Sequence, residues 1–121
     1  MNLETLRTHL LTFPATTEET PFTPETLVYK VHGKAFALVG WQLEPLRINL
    51  KCDPARALQL RDEYEAIQPG YHMNKKHWNS VFLDGTIDDQ LLKELIQDSF
   101  DLVVKSLPKS TRDELANTKS D

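Results

Sequence analysis

The chain has 121 residues, of which 40% are hydrophobic and 26% charged, and its formal net charge is −4 at pH 7. This length fits one domain with a single hydrophobic core, and the composition is that of a globular protein rather than of a disordered chain. No apolar run approaches the ~20 residues that a membrane-spanning helix needs. The single cysteine, Cys52, excludes an internal disulfide.

The first residues lack the basic and then apolar order of a signal peptide, so we expect a cytoplasmic protein. The net acidity argues against a protein that coats nucleic acid indiscriminately. The positive charges are nevertheless unevenly distributed. Residues 26–51 hold four basic residues against one acid, and residues 66–83 hold Lys75 and Lys76 against none. This distribution is typical either of a cationic binding surface or of ordinary solvated strands and loops.

The first predicted element is a helix over residues 3–13, where apolar residues recur at helical spacing. Asn2 is a suitable cap for this helix, and Pro14 ends it. Residues 15–25 are rich in threonine, glutamate and proline, which predicts an irregular connection. Phe22 lies between two prolines of this connection, and we expect its side chain to be anchored in the core.

Three strands are predicted next, because β-branched and aromatic residues alternate with turn residues. They lie near residues 26–31, 35–40 and 46–51. His32-Gly33 is predicted to form the first turn, since glycine adopts positive φ at little cost. Apolar and polar residues alternate along the third strand, which places Arg47 and Lys51 on the same face of the sheet.

A second helix is predicted from Asp53-Pro54 to about Glu65, since aspartate caps free amides and proline suits the first helical position. Residues 67–71 are predicted to form a short edge strand and residues 78–83 a longer one.

The last predicted helix begins at Asp88 or Asp89 and carries a wide apolar stripe as far as Leu107. Residues 110–121 contain too little apolar surface to stabilise a folded segment, so we expect a flexible polar tail.

The predicted order of elements is α-βββ-α-ββ-α, in one domain of residues 1–109. Short turns between neighbouring strands permit antiparallel pairing and exclude parallel crossovers. The predicted fold class is therefore α+β, a two-layer sandwich in which the helices pack on one face of an antiparallel sheet. The other face is then exposed to solvent or covered by a partner.

The densest group of polar residues lies between Tyr71 and Asn79. Lys75 and Lys76 are suited to phosphates, Asn74 can donate hydrogen bonds, and Tyr71 can stack on a base. The alternative is a solvent-exposed loop whose aromatic residues belong to the core.

Catalytic and metal chemistry find little support in the sequence. His72 and His77 lack the further ligands that a zinc site requires. Cys52 is interpreted as a small buried residue at a strand end rather than as a nucleophile. The four glycines are isolated, and no nucleophile elbow is present. We therefore expect no catalytic residue, no metal and no cofactor.

Several blocks, in the same order along the chain, carry a resemblance to a known family. They are residues 28–38 (VYKVHGKAFAL), 50–54 (LKCDP) followed by 60–61 (LR), 69–79 (PGYHMNKKHWN) and 99–103 (SFDLV). On these blocks, over about residues 1–109, the chain resembles the MmcQ/YjbR family of small bacterial proteins. The resemblance implies an α+β fold related to CyaY (frataxin-like) and secretion-chaperone-like folds.

The resemblance also implies DNA binding of the double-wing type, in which β-hairpins contact the nucleic acid. The wings would be the hairpin that holds Lys30 and Lys34, and the connection of residues 71–78. These are the two basic segments of the chain. DNA is then the expected partner, and the expected contact residues are Lys30, Lys34, Asn74, Lys75, Lys76 and His77.

Two other functions fit the sequence. The chain could be a protein-interaction or chaperone-like module that binds a partner through its open sheet face, with Trp41 and Leu43 in an apolar contact. It could also bind a small anionic ligand, if four cationic or titratable side chains converge. These are Lys34, Lys51, Lys75 and His77.

Overall fold

The computed structural model describes residues 1–119, with side chains described for residues 1–117. Its elements are α1 (Leu3–Leu10), β1 (Thr16–Glu19), β2 (Thr26–Val31), β3 (Lys34–Gly40), β4 (Arg47–Lys51), α2 (Pro54–Glu63), β5 (Ile67–Pro69), β6 (Trp78–Phe82), α3 (Asp89–Lys105) and α4 (Lys109–Lys119).

The six strands form one antiparallel sheet in the order β1-β2-β3-β4-β6-β5. Apolar side chains from all four helices and from one face of the sheet form a single core, as Leu10, Phe36 and Phe100 illustrate. The predicted α+β class and antiparallel sheet are confirmed.

Local sequence signals account for the ends of several elements. The side chains of Asn2, Asp53 and Asp88 each accept a hydrogen bond from a backbone N–H in the first turn of α1, α2 and α3. His32 and Gly33 both have positive φ, of 47° and 79°, as a two-residue turn between antiparallel strands requires. The predicted turn and helix starts are therefore confirmed.

Strand β1 corrects the prediction of an irregular connection over residues 15–25. Thr16–Glu19 pairs with β2, and Glu18 lies directly opposite Tyr29. The Tyr29 hydroxyl donates to the Glu18 carboxylate over 2.6 Å. These four residues have no apolar signal of their own, so they become a strand because a neighbouring strand offers hydrogen bonds.

Helix α4 occupies the place of the expected flexible tail. Lys109–Lys119 is helical, and the side chain of Leu115 is only 5% exposed and belongs to the core. One apolar residue at the right position thus packs a segment that is otherwise polar. Residues 120 and 121 of the expected tail lie outside the described residues.

Phe22 is not the core anchor that its position between prolines predicted. Its side chain is 73% exposed. The connection is instead held by Trp41, whose Nε1–H donates to the Pro24 carbonyl over 2.8 Å. An exposed phenylalanine on a fixed loop is available to a binding partner.

Candidate nucleic-acid interface

The two basic segments lie at the same end of the sheet. Strand β2 ends at Val31 and β3 begins at Lys34, and β4 ends at Lys51 opposite Trp78, where β6 begins. Because neighbouring strands are antiparallel, the turn of residues 32–33 and the loop of residues 70–77 project from the same end of the sheet. We call them the short tip and the long tip.

The long tip is a compact loop with its own backbone hydrogen bonds. The Gly70 N–H donates to the Trp78 carbonyl over 2.9 Å, and the His77 N–H donates to the Asn74 carbonyl over 3.2 Å. The Asn74 side-chain oxygen accepts from the Lys76 N–H over 2.9 Å. Asn74 thus orders the loop that carries the two neighbouring lysines.

Arg61 of α2 fixes the long tip from the helix side. Its Nε donates to the Asn79 side-chain oxygen over 2.6 Å, and its Nη2 donates to the carbonyls of Trp78, over 3.2 Å, and of Lys75. Predictions from residue types did not assign Arg61 a role, and only its place in one of the family blocks marked it. Arg61 is a positioning residue, because it acts on the loop backbone.

The ammonium groups of the long tip are largely free. Lys75 donates one long hydrogen bond, of 3.4 Å, to the Gly70 carbonyl. Lys76 is exposed, and within residues 1–117 its ammonium group has no hydrogen-bond or ion-pair partner. Both lysines line a shallow surface pocket beside Pro54, at the N-terminal end of α2, where the helix dipole adds positive potential.

The short-tip hairpin contributes less free charge. Lys30 forms an ion pair of 3.6 Å with Glu19 on β1. Lys34 donates to the carbonyl and the hydroxyl of Ser106, over 3.4 and 3.3 Å, at the end of α3. The structure therefore places the four predicted residues of the long tip on one loop, whereas Lys30 and Lys34 contact different elements, β1 and the end of α3.

Carboxylates line the concave surface between α2 and α3. A pocket of about 480 Å³ is lined by Asp53, Asp98 and Asp101 together with Arg56 and Lys105. Arg56 is ion-paired with Asp98. This surface has mixed charge, in contrast to the lysine-lined pocket of the long tip.

Cys52 opens toward the same pocket but has the character of a buried thiol. Burial raises the pKa of the Cys52 thiol, which disfavours the nucleophilic thiolate. Among the described side chains, no group of three His, Cys, Asp or Glu residues is placed to hold a metal ion. The proposed anionic-ligand residues Lys51 and Lys75 line different pockets.

Tyr71 leads from the long tip onto the sheet face that is opposite the helices. Its N–H donates to the Ser80 hydroxyl over 2.9 Å, and its carbonyl accepts from the Asn49 side chain over 3.2 Å. Tyr71 is 51% exposed, and its ring packs against the Arg47 guanidinium, whose central carbon lies 4.4 Å from the ring centroid. Tyr71 is therefore not a core residue.

A groove of about 440 Å³ runs across this sheet face, and we call it the open-face groove. Tyr71 and His72 form one wall, and Phe22 belongs to the other. Strands β2, β3 and β4 form the floor, which includes Leu38 and Arg47. The sequence did not reveal this groove, since its walls lie almost fifty residues apart in the chain.

The chain is a small α+β protein. It has a six-stranded antiparallel sheet, helices on one face of that sheet and two basic tips at one end of the strands. The family model for YjbR matches residues 11–102. The chain belongs to the YjbR family, which confirms the resemblance in the sequence.

Relatives and solved structures agree with this assignment. The chain is 48% identical over 89 residues to the uncharacterised protein YbdF of Escherichia coli O157:H7, covering 74% of this chain and 73% of the relative. It is 34% identical over 83 residues to the uncharacterised protein YjbR of Escherichia coli K12, covering 69% and 70%.

A crystal structure of a Deinococcus radiodurans protein with a DUF419 domain is similar to this chain, with a TM-score of 0.88 at 43% identity. The match covers 95% of this chain and 88% of that one. A Pseudomonas syringae protein is similar with a TM-score of 0.73 at 29% identity, covering 84% and 98%. Within the part of the chain that the structure describes, no helix combines the length and apolar character needed to span a bilayer.

Proposed function

We propose that the protein binds DNA without catalysis, through the long tip and with support from the short tip. The observation that carries this proposal is the pair of lysines, Lys75 and Lys76, on a loop that Arg61 and Asn74 hold in one conformation. Lysines on a fixed loop lose less backbone conformational entropy on binding phosphates than lysines on a mobile loop do.

The cations divide into stronger and weaker contributors. Among residues 1–117, the ammonium groups of Lys34 and Lys75 donate only long hydrogen bonds, and that of Lys76 donates none. Lys30 is already paired with Glu19. Contacts of lysine with phosphate position a protein on DNA and carry no sequence information. The proposed activity is therefore weak, salt-dependent DNA binding. Asn74 and His77 lie on the same loop, and the proposed compartment is the cytoplasm.

The test is fluorescence anisotropy of labelled duplex and single-stranded DNA at about 50 and 200 mM salt. Three phosphate contacts predict a log–log salt slope of about −2.7 for duplex, so that affinity falls roughly 40-fold across this range. A Lys75→Ala/Lys76→Ala variant should bind more weakly, and the magnitude of its salt slope should be smaller by about 2.

Lys93→Ala is the control for a Lys76→Ala variant, since Lys93 is also exposed and lies on α3 near His9 of α1 rather than at the tips. Lys76→Ala should weaken binding and Lys93→Ala should not. Absence of binding to either DNA form at low salt would refute the proposal. Equal losses in both lysine variants would show that net charge, and not the long tip, determines binding.

A protein partner at the open sheet face is a second candidate, favoured by the exposed rings of Phe22 and Tyr71 beside an apolar floor. Trp41 is not free for such a contact, because it is hydrogen-bonded to Pro24. Binding of this kind predicts little salt dependence and loss of affinity in Phe22→Ala, with no effect of Lys76→Ala.

A further inference from the structure

The open-face groove is a fixed concave site rather than a gap between mobile loops. The Trp41–Pro24 hydrogen bond holds the connection that carries Phe22, and two hydrogen bonds hold Tyr71 to Asn49 and Ser80. The volume of about 440 Å³ lies in the range of roughly 300–1,000 Å³ that is usual for small-molecule sites. The groove is therefore formed before anything binds.

Its charge favours an anion. Arg47 lines the groove, and among residues 1–117 its guanidinium has no hydrogen-bond or ion-pair partner, only the face of the Tyr71 ring. No carboxylate of the described residues lines the groove. An arginine with free planar donors is suited to a phosphate, which it can bind through two parallel hydrogen bonds.

Its apolar surface favours a flat ring. Phe22 is exposed on one wall, Tyr71 is half-exposed on the other, and Leu38 lies in the floor. Aromatic side chains on a sheet face, next to a cation, are the arrangement by which proteins hold unpaired bases. A base pair inside a duplex cannot enter a groove of this kind without being opened.

Tyr71 and His72 of the groove belong to the same loop as Lys75 and Lys76, which line a pocket on the α2 side of that loop. We infer that the open-face groove binds one unpaired base of single-stranded DNA, with an adjacent phosphate at Arg47. This inference rests on the proposed DNA binding and adds a preference for the single strand.

The experiment compares a labelled oligothymidine of about 12 nucleotides with a duplex of the same length by fluorescence anisotropy. Phe22→Ala should weaken binding of the single strand roughly 5- to 150-fold, the range for loss of one base stack. Arg47→Gln should also weaken it, through loss of the phosphate contact, and both variants should leave duplex binding unchanged. Circular dichroism of each variant confirms that the fold is retained.

The controls are Leu11→Ala, at the C-cap of α1, and Arg112→Gln, on α4. They remove an exposed apolar side chain and an exposed arginine that do not line the groove. Neither should change binding of either DNA form. An additional arm measures 1-anilinonaphthalene-8-sulfonate, an aromatic anion whose fluorescence rises in apolar sites. Oligothymidine should displace this dye, and Phe22→Ala should weaken its binding.

The possible results separate the two proposals. If the single strand binds, and only Lys75→Ala/Lys76→Ala weakens it, the groove is not the base site and DNA binding by the tips stands. If the dye binds in the groove but oligothymidine does not displace it, another aromatic anion or a protein segment is the occupant and the inference is wrong. If neither DNA form binds at low salt, the proposed function itself fails.

Discussion

Arg7, Glu18 and Tyr29 form a hydrogen-bonded group that joins α1 to strands β1 and β2. Both oxygens of the Glu18 carboxylate accept from Arg7, over 2.9 and 2.7 Å, and one of them also accepts from the Tyr29 hydroxyl over 2.6 Å. The hydrogen bonds from Arg7, opposed by burial and assisted by Tyr29, lower the pKa of Glu18 below its usual value of 4.5. The charged carboxylate therefore stabilises the folded state.

This group makes stability depend on pH through Glu18. Because the folded pKa of Glu18 is lowered, its contribution is present above the unfolded pKa of 4.5 and is lost as the pH falls through the folded value. Urea unfolding at pH 7 and at acidic pH should therefore show a smaller loss of stability in Glu18→Gln than in the unsubstituted protein. Equal losses in both would contradict this role of Glu18.

The backbone of the long tip is fixed by Gly70 and Arg61, neither of which is a proposed DNA contact. A Cβ atom on Gly70 would lie 2.7 Å from the Trp78 Cβ and 2.9 Å from the Trp78 carbonyl oxygen, so only glycine fits there without a backbone shift. Arg61 supplies the second constraint through the carbonyls of Trp78 and Lys75. Their backbone positions set the direction of the lysines.

Gly70→Ala should destabilise the protein by about 1–3 kcal/mol through overpacking and should weaken DNA binding, because the long tip must shift. Gly85→Ala is the matched control. Gly85 has φ of 90°, and a Cβ atom on it would have no neighbour within 4 Å, so alanine there is strained without contacting the tip. Urea unfolding and anisotropy together should show lost stability in both variants and weaker DNA binding only in Gly70→Ala.

Arg61→Met should loosen the long tip without removing a tip lysine. We expect faster hydrogen exchange at the Gly70 and His77 amides, whose bonds lie within the segment that Arg61 holds. Arg112→Met is the control and should leave these amides unchanged. Unaltered exchange at both amides in Arg61→Met would exclude the positioning role.

At the scale of the whole molecule, α4 packs against the core through a segment that is mostly polar. The helix is polar except for a few residues, and within residues 109–117 Leu115 is its buried contact with the core. Strand β1 depends on its neighbours in the same way, through pairing with β2 and the Glu18–Tyr29 hydrogen bond. Both segments are ordered by tertiary contacts and not by local preference.

Leu115→Ala should lower the free energy of unfolding by about 2–5 kcal/mol, the usual range for a buried leucine. Leu58→Ala is the control, since Leu58 is 63% exposed on α2, and its effect should be within about 0.5 kcal/mol. Urea unfolding measures both. A small effect of Leu115→Ala would show that α4 contributes little to the stability of the domain.

The sequence alone determined the helix caps, the turn at His32-Gly33 and five of the six strands, because these features depend on neighbouring residues. It also determined the family, through blocks that lie in order along the chain. Alternation and capping are local properties, so they can be read without knowing what packs against them.

Only the tertiary structure decided which polar segments would be ordered and which aromatic rings would be exposed. The sequence does not predict strand β1 or helix α4 and places Phe22 in the core, because strand pairing, helix packing and exposure at these positions depend on partners distant in sequence. The same reason hid the role of Arg61 and the open-face groove. A groove walled by Phe22 and Tyr71 exists only once the sheet brings their two connections to the same face.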